Sequence, residues 1–158
     1  GLSNPWLREV HIARAALQIN VGNWRARSLA AMEAQRQGRW DEAQPLLEQA
    51  FELSGGDPEV ALLLADNDVH VGALARAGSL YQAARQRDPA DPRPQLGLGW
   101  VALLSGNSAR AAALWRPAVD QTSDPETLER MGETFAAEHD DDAVAAVRER
   151  MRSIGMRP

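Results

Sequence analysis

The sequence predicts an all-α, right-handed solenoid of about nine antiparallel helices. The prediction rests on a 34-residue period and on the spacing of small residues within each period. A set of small residues, one glycine and two alanines, recurs after 34 residues and then after another 34. The three copies are Gly38, Ala43 and Ala50; Gly72, Ala77 and Ala84; and Gly106, Ala111 and Ala118. In each copy the glycine ends one helical segment, and the two alanines lie on one face of the next. A fixed period of this length is typical of helix pairs that stack around a continuous core.

A leading half-repeat precedes the first full copy. Asn4 and Pro5 are typical of a helix start, because asparagine caps a helix and proline fits its first position. Ala16 lies 34 residues before Ala50, so this segment matches the second helix of a repeat whose first helix is missing. We therefore expect a cap helix within 5–22, with an apolar face that packs on the helix that follows it.

Turn residues divide the rest of the single predicted domain into repeats. Two turn segments mark the boundaries: Gly55 to Pro58, where glycine ends a helix and Asp-Pro starts the next, and the proline-rich stretch from Asp88 to Pro94. The predicted repeats span 24–57, 58–91 and 92–124, with a diverged closing copy at 125–153 that slips by one residue. The predicted helices are 24–37, 41–53, 58–71, 75–87, 92–104, 108–121, 125–138 and 141–152. Pro117 lies inside one of them, where its missing N–H should bend the helix.

Composition and charge exclude several classes of protein. The net charge is -5 and the arginines are interleaved with acidic residues, so no basic stripe is present to bind nucleic acid. No stretch is apolar for the 18 residues or so that a membrane span needs, which predicts a soluble protein. Cysteine is absent, which excludes disulfides and thiolate sites. All 17 basic residues are arginine, a bias typical of a GC-rich bacterial genome, and either the cytoplasm or the periplasm is compatible with it.

No motif in the sequence indicates catalysis, a metal or a cofactor. The segment from Asp66 to Gly72 resembles the start of a calcium loop, but its glycine comes one residue late and alanine stands where the bidentate glutamate belongs. The histidines His11, His70 and His139 lie on different repeats, which favours solvated side chains over a zinc pair. The acidic run that begins at Asp140 is typical of a helix N-terminus. We therefore predict a protein that is not an enzyme.

Asp68 is the one carboxylate whose role this pattern does not decide. The period places it in register with Ala34 and Ala102, on a face that should be packed. An ionised group there is costly unless it is paired. The two interpretations are a structural pair with a neighbouring arginine and a functional carboxylate exposed by a local opening of the repeats.

The 34-residue helix-turn-helix unit resembles the tetratricopeptide repeat, and the resemblance covers nearly the whole chain. In that family the first helices of successive repeats line a concave groove that binds a partner. The resemblance implies a groove formed by Met32, Leu62, Asp66, Val69, His70, Leu96, Trp100 and Leu103, with a rim of Arg25, Arg36 and Arg93. The best-known members clamp a C-terminal carboxylate with lysine and asparagine, whereas this chain has Ser28 and Met32 at two of those places and no lysine.

Trp100 is the predicted anchor of this groove. It follows Gly99, which should face the second helix of its own repeat, so its indole should turn about 100° away toward the groove. Leu96 lies one turn before it, and Leu103 and Leu104 lie about one turn after, which makes an apolar strip at helical spacing. The alternative is that these residues belong to the core, and a third possibility is that the chain's own terminal helix or a second copy of the chain fills the groove.

The resemblance therefore implies a non-enzymatic scaffold that binds a protein or peptide partner in an apolar groove. Similar domains serve bacterial envelope, secretion, pilus and polysaccharide-export assemblies. The alternatives are a small chaperone for secreted subunits and a docking domain of a larger enzyme, which the full-length reading frame would separate.

Overall fold

The all-α prediction is confirmed by a computed structural model that describes Arg8 and residues 23–158. That part of the chain forms eight α-helices and one 3-10 helix and contains no strand. The α-helices are α1 Trp24–Arg36, α2 Trp40–Leu53, α3 Pro58–Val71, α4 Leu74–Arg87, α5 Arg93–Leu104, α6 Ser108–Trp115, α7 Pro125–Ala137 and α8 Asp141–Ser153. The cap helix predicted within 5–22 lies outside the described residues, apart from Arg8.

The chain divides into two compact units, residues 1–67 and 68–158, and the division falls inside α3. The first unit holds α1, α2 and most of α3, and the second holds α4 to α8 and the 3-10 helix. The repeat boundaries at 57, 91 and 124 stay predictions from the sequence.

The turns between paired helices explain why a glycine recurs in each 34-residue period. Gly38, Gly72 and Gly106 have φ values of 73°, 84° and 84°, the left-handed region in which glycine has no steric penalty. After each of them, the next N–H donates to a carbonyl five residues back, which closes the helix end. In the closing repeat this position is His139, with φ 57°, so a residue with a side chain occupies the strained conformation.

The periodic alanines are buried, as the packing argument predicts. Ala43, Ala77 and Ala111 are fully buried, and the second alanine of each copy is at most 8% exposed. Small residues at these places allow the backbones of paired helices to approach closely.

Large aromatic side chains fill the space that glycines leave in the second unit. An added Cβ on Gly99 would lie 2.0 Å from the Trp115 indole nitrogen, and one on Gly97 would lie 2.3 Å from the Tyr81 ring. The Trp115 indole N–H also donates to the Leu96 carbonyl at 2.9 Å. Gly99 thus faces the second helix of its own repeat, as the sequence predicts.

The second helix of repeat three corrects one prediction. A single helix over 108–121, bent at Pro117, is wrong, because the α-helix α6 ends at Trp115 and a 3-10 helix, Arg116–Gln121, follows. Proline has no N–H to donate to the preceding turn, and a 3-10 segment tolerates that loss at its start. Ala118 still lies in the core, at 1% exposure.

Candidate functional site

Asp68 is fully buried and ion-paired, which decides between the two interpretations of this residue. Its two carboxylate oxygens accept hydrogen bonds from the Arg76 guanidinium, at 2.7 and 2.8 Å. The Asp68 side chain has 0% exposure, whereas that of Arg76 has 43%. The carboxylate therefore has the arginine partner that the structural interpretation requires, and no functional role needs to be invoked for it.

Asn67, which was not predicted from the sequence, is a fully buried polar residue of the first unit, as Asp68 is of the second. Its side-chain amide donates to the Trp40 carbonyl and to the Gln44 side chain, and its oxygen accepts from Gln35. These bonds join the three helices that the structure describes in that unit. A buried amide bonded in this way stabilises one arrangement of the helices.

The other candidates for chemistry have structural explanations. The segment from Asp66 to Val71 is helical, so it cannot wrap around a calcium ion as a loop does. Asp140 caps α8, accepting the Ala143 N–H at 3.1 Å. This hydrogen bond, with the Arg116 guanidinium at 2.6 Å, lowers the pKa of the Asp140 carboxyl. Within residues 23–158 no three metal-ligating side chains lie together.

The predicted groove residues of the first unit differ in exposure. Met32 is 47% exposed on α1, and its neighbour Leu29 is 66% exposed. Asp66 is also exposed. Leu62 is only 7% exposed, so the prediction that it lines an open groove is wrong, and its side chain belongs to the core.

The predicted groove residues of the second unit lie mainly on α5. Leu96, Trp100 and Leu103 are half-buried, and Leu104, one turn after Trp100, is 48% exposed. They share one face because they follow helical spacing. We call these four residues the α5 strip. The remaining two predicted residues, on α3, are a half-buried Val69 and an exposed His70.

Trp100 is fixed in place by contacts with its neighbours, and it is not a freely exposed side chain. Its indole N–H donates to the Thr127 hydroxyl at 3.0 Å, and that hydroxyl donates to Asp124, the N-cap of α7, at 2.6 Å. The Trp115 ring meets it edge to face, with centroids 5.5 Å apart. Trp100 therefore links α5 to α7. Its side chain is half-buried, so it is neither as exposed as a free groove anchor nor as buried as a core residue.

Arg130 lies beside the strip, and its position was not predicted from the sequence. Its guanidinium lies 5.9 Å from the centroid of the Trp100 ring, a cation–π distance, and 3.9 Å from Glu133. Only the position of α7 relative to α5 reveals this contact, because the two residues are 30 apart in sequence.

The three arginines of the predicted rim have partners within the chain. Arg36 bonds Glu33 at 2.6 Å and Arg93 bonds Asp91 at 2.8 Å, and each pair lowers the pKa of its carboxyl. Arg25 lies 4.5 Å over the Trp24 ring. The charges of Arg36 and Arg93 are therefore balanced locally, whereas Arg25 stacks on a neutral ring.

Apart from the strip, a depression of about 700 Å³ lies beside α4 and the end of α5. It is open and lined by small or polar side chains: Leu74, Ala75, Gly78, Ser79, Gln82, Ala83, Gln86, Val101 and Ser105. No titratable group lines it, so it offers shape but no charge to a ligand.

The comparison with known families agrees with the period. A family model described as the tetratricopeptide repeat matches residues 34–77, which run from the end of α1 to the first turn of α4. The match supports the assignment of the chain to the tetratricopeptide-repeat family. No curated protein matches its sequence. Tetratricopeptide repeats generally mediate protein–protein interactions and are typically non-enzymatic. Among the described residues, no helix has the length and hydropathy needed to cross a bilayer.

Proposed function

We propose that this tetratricopeptide-repeat protein is a non-enzymatic scaffold that binds a helix or an extended peptide of a partner protein. The partner belongs to a bacterial multiprotein assembly, of the envelope, secretion, pilus or polysaccharide-export kind. Its binding surface includes the α5 strip. A second copy of the chain is an alternative occupant, which sedimentation of the purified protein would detect.

The observation that supports this proposal is the α5 strip itself. Leu96, Trp100, Leu103 and Leu104 form four apolar positions in helical register, and Leu104 is about half exposed. Trp100 is held by Thr127 and Trp115, so little conformational entropy would be lost when a partner covers it. A rigid tryptophan beside exposed leucine is typical of an interface anchor.

The test starts from peptides selected from a random library on the intact chain, whose affinities are then measured by fluorescence anisotropy. Leu104→Ala should weaken binding by about 3- to 10-fold, because the deleted methyl groups lose apolar contact with the peptide. Leu53→Ala is the matched control, since Leu53 is a 42% exposed leucine near the end of α2. The control should leave the affinity unchanged.

Trp100→Ala should weaken binding by about 2 kcal/mol or more, the usual cost of removing an anchor tryptophan. Because Trp100 also bonds Thr127, far-UV circular dichroism and a urea midpoint must show that the variant stays folded. Peptides that bind the Leu104→Ala and Trp100→Ala variants as tightly as the parent chain would contradict the proposal.

A further inference from the structure

We infer that the partner segment is cationic and amphipathic: apolar residues for the α5 strip, flanked by lysine or arginine. This inference rests on the proposed function and adds the charge of the partner. It comes from the face of α7 that borders Trp100.

That face of α7 carries carboxylates. Glu126, Glu129, Arg130 and Glu133 follow i, i+3, i+4, i+7 spacing and therefore share one side of the helix, and all four are exposed. Arg130 places this side next to the strip, because its guanidinium lies 5.9 Å from the Trp100 ring centroid. The strip is thus bordered by three carboxylates and one guanidinium. We call these four residues the acidic border.

The positive charges near the strip are already balanced. Arg93, at the start of α5, makes hydrogen bonds of 2.8 to 3.1 Å to Asp91, and Arg130 lies 3.9 Å from Glu133. Glu126 and Glu129 form no ion pair with any residue in 23–158, so two carboxylates remain uncompensated. Charge complementarity therefore favours a basic partner over an acidic one.

The face is also hostile to an acidic partner. Like charges brought together at an interface oppose binding and exclude the wrong partner. An acidic segment on the strip would meet three glutamates and would have to draw Arg130 away from Glu133 and from the Trp100 ring. A basic segment meets the same residues as partners.

The experiment uses three dye-labelled helical peptides of about 18 residues, which is five turns. Each has leucine at i, i+3, i+4 and i+7, and the remaining positions are filled with lysine, glutamine or glutamate. On the intact chain the lysine peptide should bind most tightly and the glutamate peptide most weakly. Raising the salt concentration from about 0.05 M to about 0.5 M should weaken the lysine peptide alone.

Charge variants test whether the preference for the lysine peptide comes from the acidic border. Glu129→Gln with Glu133→Gln should weaken binding of the lysine peptide by about 5- to 10-fold, the sum expected from two exposed charge pairs. Glu52→Gln with Glu149→Gln removes the same charge from exposed positions on α2 and α8, and should change the affinity less than 2-fold. Arg130→Gln should strengthen lysine-peptide binding about 2- to 5-fold, because it removes a like charge.

The outcomes separate the two proposals. If the glutamine or glutamate peptide binds at least as tightly as the lysine peptide, yet Leu104→Ala still weakens it, the inference on charge is overturned and the proposed function stands. Equal losses in the α7 variant and its control would also overturn the inference. If Leu104→Ala and Trp100→Ala weaken none of the three peptides, the strip is not the binding surface and the proposed function fails.

Discussion

Replacing Arg76 with alanine should destabilise the protein more than replacing Asp68, although both changes break the same ion pair. The asymmetry follows from burial, because the Asp68 side chain is 0% exposed and the Arg76 side chain is 43% exposed. Without Arg76, a carboxylate stays in the interior after losing two short hydrogen bonds to a cation. Without Asp68, the guanidinium that remains already reaches water.

The sizes of the two effects can be worked from these contacts. Removing one partner of a buried ion pair costs about 3–5 kcal/mol, and the exposure of Arg76 places Arg76→Ala near the lower end, at about 3 kcal/mol. Asp68→Ala loses the same bonds but also removes the desolvated charge, so we expect about 1–2 kcal/mol. The double variant should then be no less stable than Arg76→Ala alone, since it leaves no buried charge.

Urea unfolding followed by far-UV circular dichroism measures these differences. With a slope of about 2 kcal/mol/M, Arg76→Ala should lower the urea midpoint by about 1.5 M. Arg85→Ala is the control, because Arg85 is an exposed arginine on the same helix, α4, with no ion pair among residues 23–158, and should stay within about 0.5 kcal/mol of the parent. A larger loss for Asp68→Ala than for Arg76→Ala would refute the reasoning.

Two further predictions concern the closing repeat. His139→Gly should stabilise the protein by about 1 kcal/mol, because φ 57° strains a residue that has a Cβ, and an unchanged or lower melting temperature would argue against that strain. Asp140 should make stability depend on acidity: the Ala143 N–H and the Arg116 guanidinium lower its folded pKa below the unfolded value of about 3.9. Its contribution is therefore complete above the unfolded pKa and is lost as the pH falls through the folded pKa. The difference in unfolding free energy between the parent and Asp140→Asn should shrink in acid, and a constant difference would count against this cap.

The period predicts the fold well because it depends on packing that every repeat must satisfy. Ala43, Ala77 and Ala111 are small wherever helices approach closely, and Gly99 has no side chain because an indole lies against it. The same register placed Asp68 on a packed face. Its partner Arg76 could not be identified from periodicity, since it lies on the next helix and the period does not show which side chains meet.

The candidate site is less predictable because it depends on how side chains of different helices meet. The position of Trp100 after Gly99 predicted the direction of its indole, but not the hydrogen bond to Thr127, which depends on where α7 begins in a copy shifted by one residue. Arg130 was missed for the same reason. Leu62 was misplaced because a helical register alone does not show how deeply a side chain is buried.

The indole N–H of Trp100 provides the most direct test of the central claim that the α5 strip binds a peptide partner. The chain has five tryptophans, so ¹H–¹⁵N correlation spectra should contain five indole signals, and Trp100→Phe assigns the one from Trp100. Titration with the lysine peptide should shift that signal in proportion to the bound fraction, because the peptide covers the ring that donates to Thr127. A saturated complex in which the Trp100 signal has not moved would contradict the claim.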